Sequence, residues 1–339
     1  MATKQLLMKI IKKRFDDLTE AEIIAWRKLT SRHTPFNSPF YQYDFTLLVS
    51  RCDLIVDVIL GLLNTEIVFI LPVQYKNGFN YLIGYSEKIA AHLADYSGGI
   101  VDITQNLNIT MLPIQYTILD HMPELSINPF SDQVSSYQEL SSQIILETTW
   151  QKMASKIDNE FLNEIHLNQA NLEKNFGSIQ FKFQNENIEN LECLLFAINE
   201  ECIERKVISP FKDKWTVLLL RQLFLADKKE VKPIMSTLFA GNRWIASMFG
   251  IEANGVLHYW FYKSNPSAEL YSPLNVLICQ VIKASVKNNL ACIDLGFGQK
   301  QFKEKLCSQF IPLYKMEFVN NSINARAIKL VNSFLWKLK

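Results

Sequence analysis

Between Val256 and Lys305 the chain reads VLHYWFYKSNPSAELYSPLNVLICQVIKASVKNNLACIDLGFGQKQFKEK, and its polar residues are of types that move a proton or hold an anion. His258 carries an imidazole that titrates near neutral pH, which suits a general base. Under strand alternation it shares a face with Trp260 and Tyr262, so a packed, hydrogen-bonded histidine is the competing reading. Asp294 ends an apolar run, the end of a strand where sites in α/β sheets gather; it is either a charged partner or the cap of the Gly296-Phe297-Gly298 turn. Lys303 either holds a carboxylate or phosphate or lies on a solvated helix face. Ser272-Pro273 opens a helix whose unpaired N–H groups and positive dipole end suit a phosphate. Gly296 and Gly298 alone are too few for a dinucleotide fingerprint.

The elements that position these residues follow from residue type. Val256 to Lys263 is β-branched and aromatic and closes on Ser264-Asn265-Pro266-Ser267, so it predicts a strand and a loop. Ser272 is a suitable N-cap and Pro273 suits the first helical position. Val276, Leu277, Val281, Ala284 and Ser285 then give one stripe of a helix running to about Asn289. Leu290 to Leu295 predicts a short buried strand, and Gly296-Phe297-Gly298 a turn into a helix at Lys300.

Upstream, Thr19 with Glu22 predicts a capping box for a helix ending near Arg32, and a second helix is expected from about Tyr41 to Ser50. Leu54 to Leu63 and Glu66 to Tyr75 predict a hairpin through Asn64-Thr65, followed by a third strand at Asn80 to Tyr85. Pro113 to Leu119 and Ile144 to Glu147 read as short strands. Asp158 to Lys174 predicts a helix that bridges two halves. Ile188 to Arg205 and Lys214 to Ala226 are helices, followed by a hairpin, Val231 to Ala240 and Arg243 to Ile251, through Gly241-Asn242. Helix, helix, hairpin is also the order from Glu20 to Tyr75, which suggests two related α/β units, 1–150 and 151–339. Ser322 to Lys339 predicts a terminal helix with Ile323, Ala327, Leu330, Val331, Phe334 and Leu335 on one stripe.

The order Ser272-Pro273, Asp294-Leu295-Gly296-Phe297-Gly298 and Phe302-Lys303 resembles the GNAT-like acyltransferases of the cellulose-biosynthesis (CelD/BcsL) type, with a BioF2-like acetyltransferase domain. Those relatives usually show Ser-Pro-Gly, Asp-Phe-Gly-x-Gly and Tyr-Lys. This chain has Leu274, Leu295 and Phe302 at the departing positions, and a side chain at 274 crowds the approach of a pyrophosphate. The resemblance covers 161–319 well and the N-terminal half loosely. It implies an α/β fold of two tandem GNAT-like units, mixed sheets flanked by helices, and an acyl-CoA-dependent N- or O-acyltransferase. The implied acceptor is a sugar, a polysaccharide precursor or another polar small molecule.

The same resemblance assigns donor binding to Tyr259, Ser272, Pro273, Leu274, Asn275, Gly296 and Gly298, with acetyl-CoA or another acyl-CoA as co-substrate. His258 and Asp294 are the catalytic candidates. Phe302 and Lys303 are expected on the acceptor, together with Asp95 and Tyr96, because such relatives often carry an Asp-Tyr pair near the Gly98-Gly99 turn. The acceptor is expected in a cleft between the halves. The competing reading of Asp95-Tyr96 is a capped turn with a packed tyrosine. Two further readings are a binding or scaffold module without chemistry, kept open by Leu274, and aminoacyl transfer of the Fem type.

Composition sets the outer bounds. The chain has 339 residues, enough for two cores at 48% hydrophobic content, and a formal charge of +1 from 35 basic and 34 acidic side chains. Without a global field it is not suited to nucleic acid, tRNA included, although a local basic patch is compatible with these numbers. Six cysteines lie far apart with no Cys-x-x-Cys pair and read as reduced core residues of a cytoplasmic protein. Five scattered histidines give no metal-ligand spacing. No apolar run reaches the length of a membrane span. The basic start MATKQLLMKIIKKRF reads as a first secondary-structure element, with a surface-binding amphipathic segment as the alternative.

Overall fold

A computed structural model describes residues 8–298 and 301–337, apart from 106, 108, 110, 111, 128, 129, 131–134, 228 and 229. The chain divides into two compact units, 1–139 with 312–339 as unit 1 and 140–311 as unit 2.

The strands of unit 1 are β1 (Lys9–Arg14), β2 (Ile55–Leu63), β3 (Glu66–Tyr75), β4 (Tyr85–Lys88), β5 (Ile100–Val101), β6 (Tyr116–Pro123) and, from the end of the chain, β13 (Gln309–Val319). Its helices are α1 (Glu20–Arg32), α2 (Tyr43–Ser50), α3 (Gly78–Ile83), α4 (Glu124–Ile127) and α11 (Ile323–Lys337). The sheet runs β1-β2-β3-β4-β6-β13, with β5 on β3. Neighbours are antiparallel except β4 and β6.

The α1 cap forms as its sequence dictates: Thr19 N–H donates to Glu22 Oε2 at 2.8 Å while Glu22 N–H donates to Thr19 Oγ1 at 3.4 Å. Trp26 then buries its ring between Phe15 and Tyr43 and donates from Nε1 to the Tyr41 carbonyl at 2.8 Å.

Two expectations change in this unit. The strand predicted over Asn80 to Tyr85 is the short helix α3. The Asn77 side chain accepts from Asn80 N–H, and Gly84 ends the turn at φ 74°, so capping chemistry at both ends overrides the aromatic content between them. The segment 312–319 pairs with β6, so the last strand and α11 join unit 1 and not the second half. On α11, Ile323 and Leu330 of the expected stripe face solvent while Ala325 is buried; Val331, Phe334 and Leu335 lie outside the described side chains.

Unit 2 contains β7 (Ser135–Ile145, from residue 140), β8 (Ile179–Lys182), β9 (Lys232–Ala240), β10 (Arg243–Ala253), β11 (Val256–Ser264) and β12 (Cys292–Phe297). Its helices are α5 (Trp150–Ala154), α6 (Asn159–Phe176), α7 (Ile188–Glu204), α8 (Lys214–Phe224), α9 (Pro273–Lys287) and α10 (Gln301–Leu306). The sheet order is β8-β9-β10-β11-β12-β7, antiparallel except between β11 and β12. Strand for strand, this repeats the order and directions of unit 1, so the duplication suggested by helix, helix, hairpin extends to the whole sheet.

The core of unit 2 is Val276, Leu277, Val281 and Ile282 of α9 packed with Phe161, Ile165 and Leu172 of α6 and with Met248 and Ile293 of the sheet. The helix expected to bridge the halves therefore belongs to unit 2, because all three of its buried residues serve that core. Among the described residues, no helix is long and apolar enough to cross a membrane.

Candidate active site

The parallel pair β11 and β12 stays together for three rungs only, Val256 with Cys292, Leu257 with Ile293 and His258 with Asp294. Beyond that rung β11 continues to Ser264 along β10, while β12 continues to Phe297 along β7. The two strands form a fork that opens at their C-terminal ends.

The first residues past the fork on β11 form a bulge. On β10, Phe249 pairs with Phe261 and Ile251 with His258, so Tyr259 and Trp260 together face Gly250. A bulge leaves one residue's backbone groups out of the regular ladder. Gly250 is required here, since a Cβ on it would lie 2.4 Å from the His258 carbonyl oxygen. The bulge also corrects the expected side-chain alternation. Tyr262 falls beside Tyr259, with ring centroids 5.0 Å apart, and both pack on the core under α9 and not with His258. Burial, with Tyr262 beside it, holds the Tyr259 phenol well above its usual pKa.

At the fork, His258 Nδ1 lies 3.6 Å from Asp294 Oδ1, and the two side chains are 0% and 1% exposed. Asp294 accepts hydrogen bonds from Gly296 N–H at 2.8 Å, Gln143 Nε2 at 2.8 Å and Ser141 Oγ at 3.3 Å. The bond from Gly296 is an Asx turn that leads into Gly296 at φ 66°, so Asp294 is at once the partner of His258 and the cap of the turn. A base must be within reach of the proton it takes. The His258 ring is fully enclosed in this structure, on the last rung before the strands part.

Lys303 is buried as well. Its ammonium donates to the carbonyls of Gly296 at 3.1 Å and Phe297 at 2.7 Å, so it braces the turn after β12 and does not lie on a solvated helix face. Gly298, at φ 86°, has open space where a Cβ would project. The side chain of Phe302 lies outside the described residues. Cys292, on the first rung of the fork, has its thiol pushed up by burial and by Asp294, which keeps it protonated and poorly nucleophilic.

The helix α9 connects the two parallel strands, so its N-terminus lies at the end of the sheet where the fork opens. Ser272 does not cap it as expected. The residue adopts φ 43°, ψ 55°, its hydroxyl makes no capping bond, and its carbonyl accepts from Asn275 N–H at 2.9 Å. The first-turn N–H groups are thus not covered by the Ser272 hydroxyl. Pro273 is buried, and Leu274 packs its side chain against the hydrophobic core. Asn275, half-buried, is the polar side chain of this turn.

Asp95 and Tyr96 lie in unit 1. Tyr96 is buried edge-on to Phe40, with ring centroids 6.3 Å apart, which matches the packed-tyrosine reading; Asp95 is half-buried. The neighbouring charges were not foreseen. Lys88 Nζ donates to the Ala94 carbonyl at 2.7 Å and pairs with Asp120 at 2.5 Å, while His121 Nε2 stands 3.1 Å from Glu139 Oε1. Burial alone would raise the Asp120 carboxyl, but His121 and the Lys88 ammonium pull it well below the usual range. His121 sits at φ 54° in a bulge of β6 opposite Tyr314 to Met316. The sequence signal was the pair Asp120-His121 in an otherwise apolar strand run, where two adjacent polar residues break alternation.

Unit 1 has its own fork, since β4 and β6 pair only from Tyr85–Tyr116 to Glu87–Ile118. Where unit 2 crosses over through the 15-residue helix α9, the described residues between β4 and β6 hold one 3-10 turn, Ala91–Leu93, and β5. Among the described residues, only unit 2 combines a fork with a long helix N-terminus. Among the described residues, no group of three or more His, Cys, Asp or Glu side chains is placed to hold a metal ion.

Residues 161–304 match the family model described as acetyltransferase (GNAT) domain. No curated protein matches the chain. Solved structures similar to it include FemX, with a TM-score of 0.64 and 7% identity over 92% of this chain and 98% of that one. The C-terminal domain (DUF2156) of a putative lysylphosphatidylglycerol synthetase from Agrobacterium fabrum is similar with a TM-score of 0.53 and 8% identity over 92% and 96%. A tandem GNAT protein from the clavulanic acid biosynthesis pathway is similar with a TM-score of 0.51 and 6% identity over 93% and 100%. At these identities the likeness is one of fold. Residues 161–304 thus match an acetyltransferase (GNAT) domain, and the mixed α/β fold of the chain is similar to that of a tandem GNAT protein.

Proposed function

We propose that the chain transfers an acyl group from an acyl-CoA thioester, acetyl-CoA foremost, to an amine or hydroxyl of a polar acceptor. The observation that carries this reading is the fork of β11 and β12 with the Tyr259–Trp260 bulge at its mouth. An extended pantetheine arm fits between strands that have parted, because β11 offers it unpaired backbone groups as a further strand would. A bulge N–H aimed into the fork stabilises negative charge on the thioester oxygen as the acceptor attacks. The first-turn N–H groups of α9, from Leu274 onward, would receive the pyrophosphate, and Leu274 leaves room by packing on the core. Transfer is direct: the acceptor nitrogen or oxygen bonds to the acyl carbon, the thiolate leaves, and the acceptor proton passes to solvent or a base.

In this reading His258 and Asp294 set the opening of the fork, and Lys303 sets the turn beside it. The resemblance to the cellulose-biosynthesis type supports a sugar or polysaccharide-precursor acceptor, and a CoA-dependent reaction fits a cytoplasmic location. The near-zero charge of the chain weighs against an aminoacyl-tRNA donor. The complete burial of His258 favours one second reading, a GNAT-like module that binds without transfer. Incubation with acetyl-CoA and a panel of amino sugars, sugars and amines, read by mass spectrometry, distinguishes the two. An acetylated acceptor is expected, and binding of CoA with no product from any acceptor would leave the binding module.

A further inference from the structure

Unit 2 places an unused cation next to the segment that leads into α9. Arg243 opens β10 and is exposed, and its guanidinium carbon stands 5.7 Å from the centroid of the Phe176 ring. Phe176, the last residue of α6, in turn meets Tyr271 edge-on, with ring centroids 6.1 Å apart, and Tyr271 comes two residues before the start of α9. Backbone contacts lock the three together. A Cβ on Gly241 would lie 2.7 Å from the Phe176 carbonyl oxygen, so glycine is what lets the β9–β10 turn close on the end of α6. Asn265 ties the loop before α9 to the strand of Arg243, its N–H donating to the Ile245 carbonyl at 2.8 Å and its Nδ2 to the Trp244 carbonyl at 2.9 Å.

The Arg243 guanidinium makes no hydrogen bond or ion pair among the described residues. Carboxylates of the neighbouring segments are engaged elsewhere: Glu269 accepts from Ser264 Oγ at 2.5 Å, and Glu173 from Gln169 Nε2 at 3.5 Å. A guanidinium held over a ring without a counter-ion keeps its planar fork of donors open, and that fork matches a phosphate with two parallel bonds.

We propose that Arg243 binds the 3′-phosphate of coenzyme A, which makes the donor a CoA thioester rather than an acyl group borne on a carrier protein. This rests on the pyrophosphate lying at the first turn of α9, since in CoA the 3′-phosphate is one ribose away from the pyrophosphate. A phosphopantetheine arm on a carrier protein lacks that ribose and offers Arg243 no phosphate. Docking of an acidic carrier surface calls for several cations, whereas here one guanidinium stands among the exposed Glu173 and Glu269.

Isothermal titration of the full chain with acetyl-CoA and with acetyl-3′-dephospho-CoA tests this. The wild type is expected to bind acetyl-CoA roughly tenfold more tightly, the scale of a charge-assisted bond at an open site. Arg243→Gln should lose that advantage and bind the dephospho form as the wild type does. Arg243→Lys, which keeps the charge without the fork, should restore part of it. Lys287→Gln, at the far end of α9, should change neither affinity. Both positions are exposed, so matching melting curves are expected for all variants. Equal affinity of the wild type for the two ligands, or loss of both affinities in Arg243→Gln, overturns the proposal and leaves acyl-CoA binding in the fork standing. Failure of every acyl-CoA to bind overturns both. Binding of an acetyl-loaded acyl carrier protein that Arg243→Gln abolishes, with acetyl-CoA affinity untouched, also overturns the proposal and gives the arginine to a protein-borne donor.

Discussion

His258 and Asp294 face each other on the last rung that β11 and β12 share, 3.6 Å apart at Nδ1 and Oδ1 and enclosed on all sides. Everything beyond that rung is fork. Donors from β7 and from the turn it caps fix Asp294, so one carboxylate ties together the strand on its far side, the turn after it and the histidine opposite.

Asp294→Asn should therefore destabilise the protein by roughly 3 kcal/mol, because an amide cannot accept from Gly296, Gln143 and Ser141 with ionic strength, and buried donors are left short. His258→Asn should cost less. In a urea-denaturation cycle the double variant should show coupling of about 1 kcal/mol or more. Additive losses would mean that the two side chains do not act as a pair.

Gly250→Ala should cost about 2 kcal/mol, since its Cβ would meet a backbone oxygen that cannot swing aside. Relief of that contact requires the Tyr259–Trp260 bulge to shift, so the variant should also lose most of its thermal stabilisation by acetyl-CoA. Full stabilisation by acetyl-CoA in Gly250→Ala would detach the bulge from donor binding.

Lys303→Met removes two charge-assisted bonds to the turn carbonyls and should cost about 2 kcal/mol. If Lys303 is a brace, the same variant should lower kcat and weaken donor binding while leaving the acceptor KM little changed. A rise in the acceptor KM alone would return Lys303 to the acceptor contact expected from the sequence.

The elements were largely legible because local chemistry marks them. Thr19 with Glu22, Asn64-Thr65 and Gly241-Asn242 each impose their cap or turn on neighbours of the right type. What escaped depends on contacts between distant segments. Nothing in Val256 to Ser264 announces a bulge; its trace is Gly250, on the strand next door. The return of β13 to β6 joins residues some 190 positions apart, beyond any local signal. For the candidate site, residue type and order single out side chains but do not give their contacts: Asp294 and His258 are one buried pair, the Lys303 ammonium meets the carbonyls of Gly296 and Phe297, and the Ser272 carbonyl, not its hydroxyl, meets the first turn of α9.

Acid stability should report on Asp120. Its carboxyl titrates below the ordinary value of 3.8 in the folded protein, so the unfolded chain binds more protons in that window. The resulting stability is fully present above about pH 4 and is lost as the pH falls through the lower, folded value. Asp120→Asn should flatten the decline in stability below pH 4 and lower stability at neutral pH, where the buried Lys88 loses its carboxylate partner. A decline as steep as that of the wild type would show that the Lys88–His121 cluster contributes nothing through this carboxyl.

The central claim is that one acyl-CoA binds each chain, in the fork of unit 2 with its pyrophosphate on the first turn of α9. Isothermal titration of acetyl-CoA against the wild type and Asn275→Asp tests it most directly. The account predicts one site per chain, weaker binding of a pantetheine without phosphates, and roughly tenfold loss in Asn275→Asp, where a carboxylate is set beside the phosphates. No heat with any acyl-CoA, two equal sites per chain, or unchanged affinity in Asn275→Asp would contradict it.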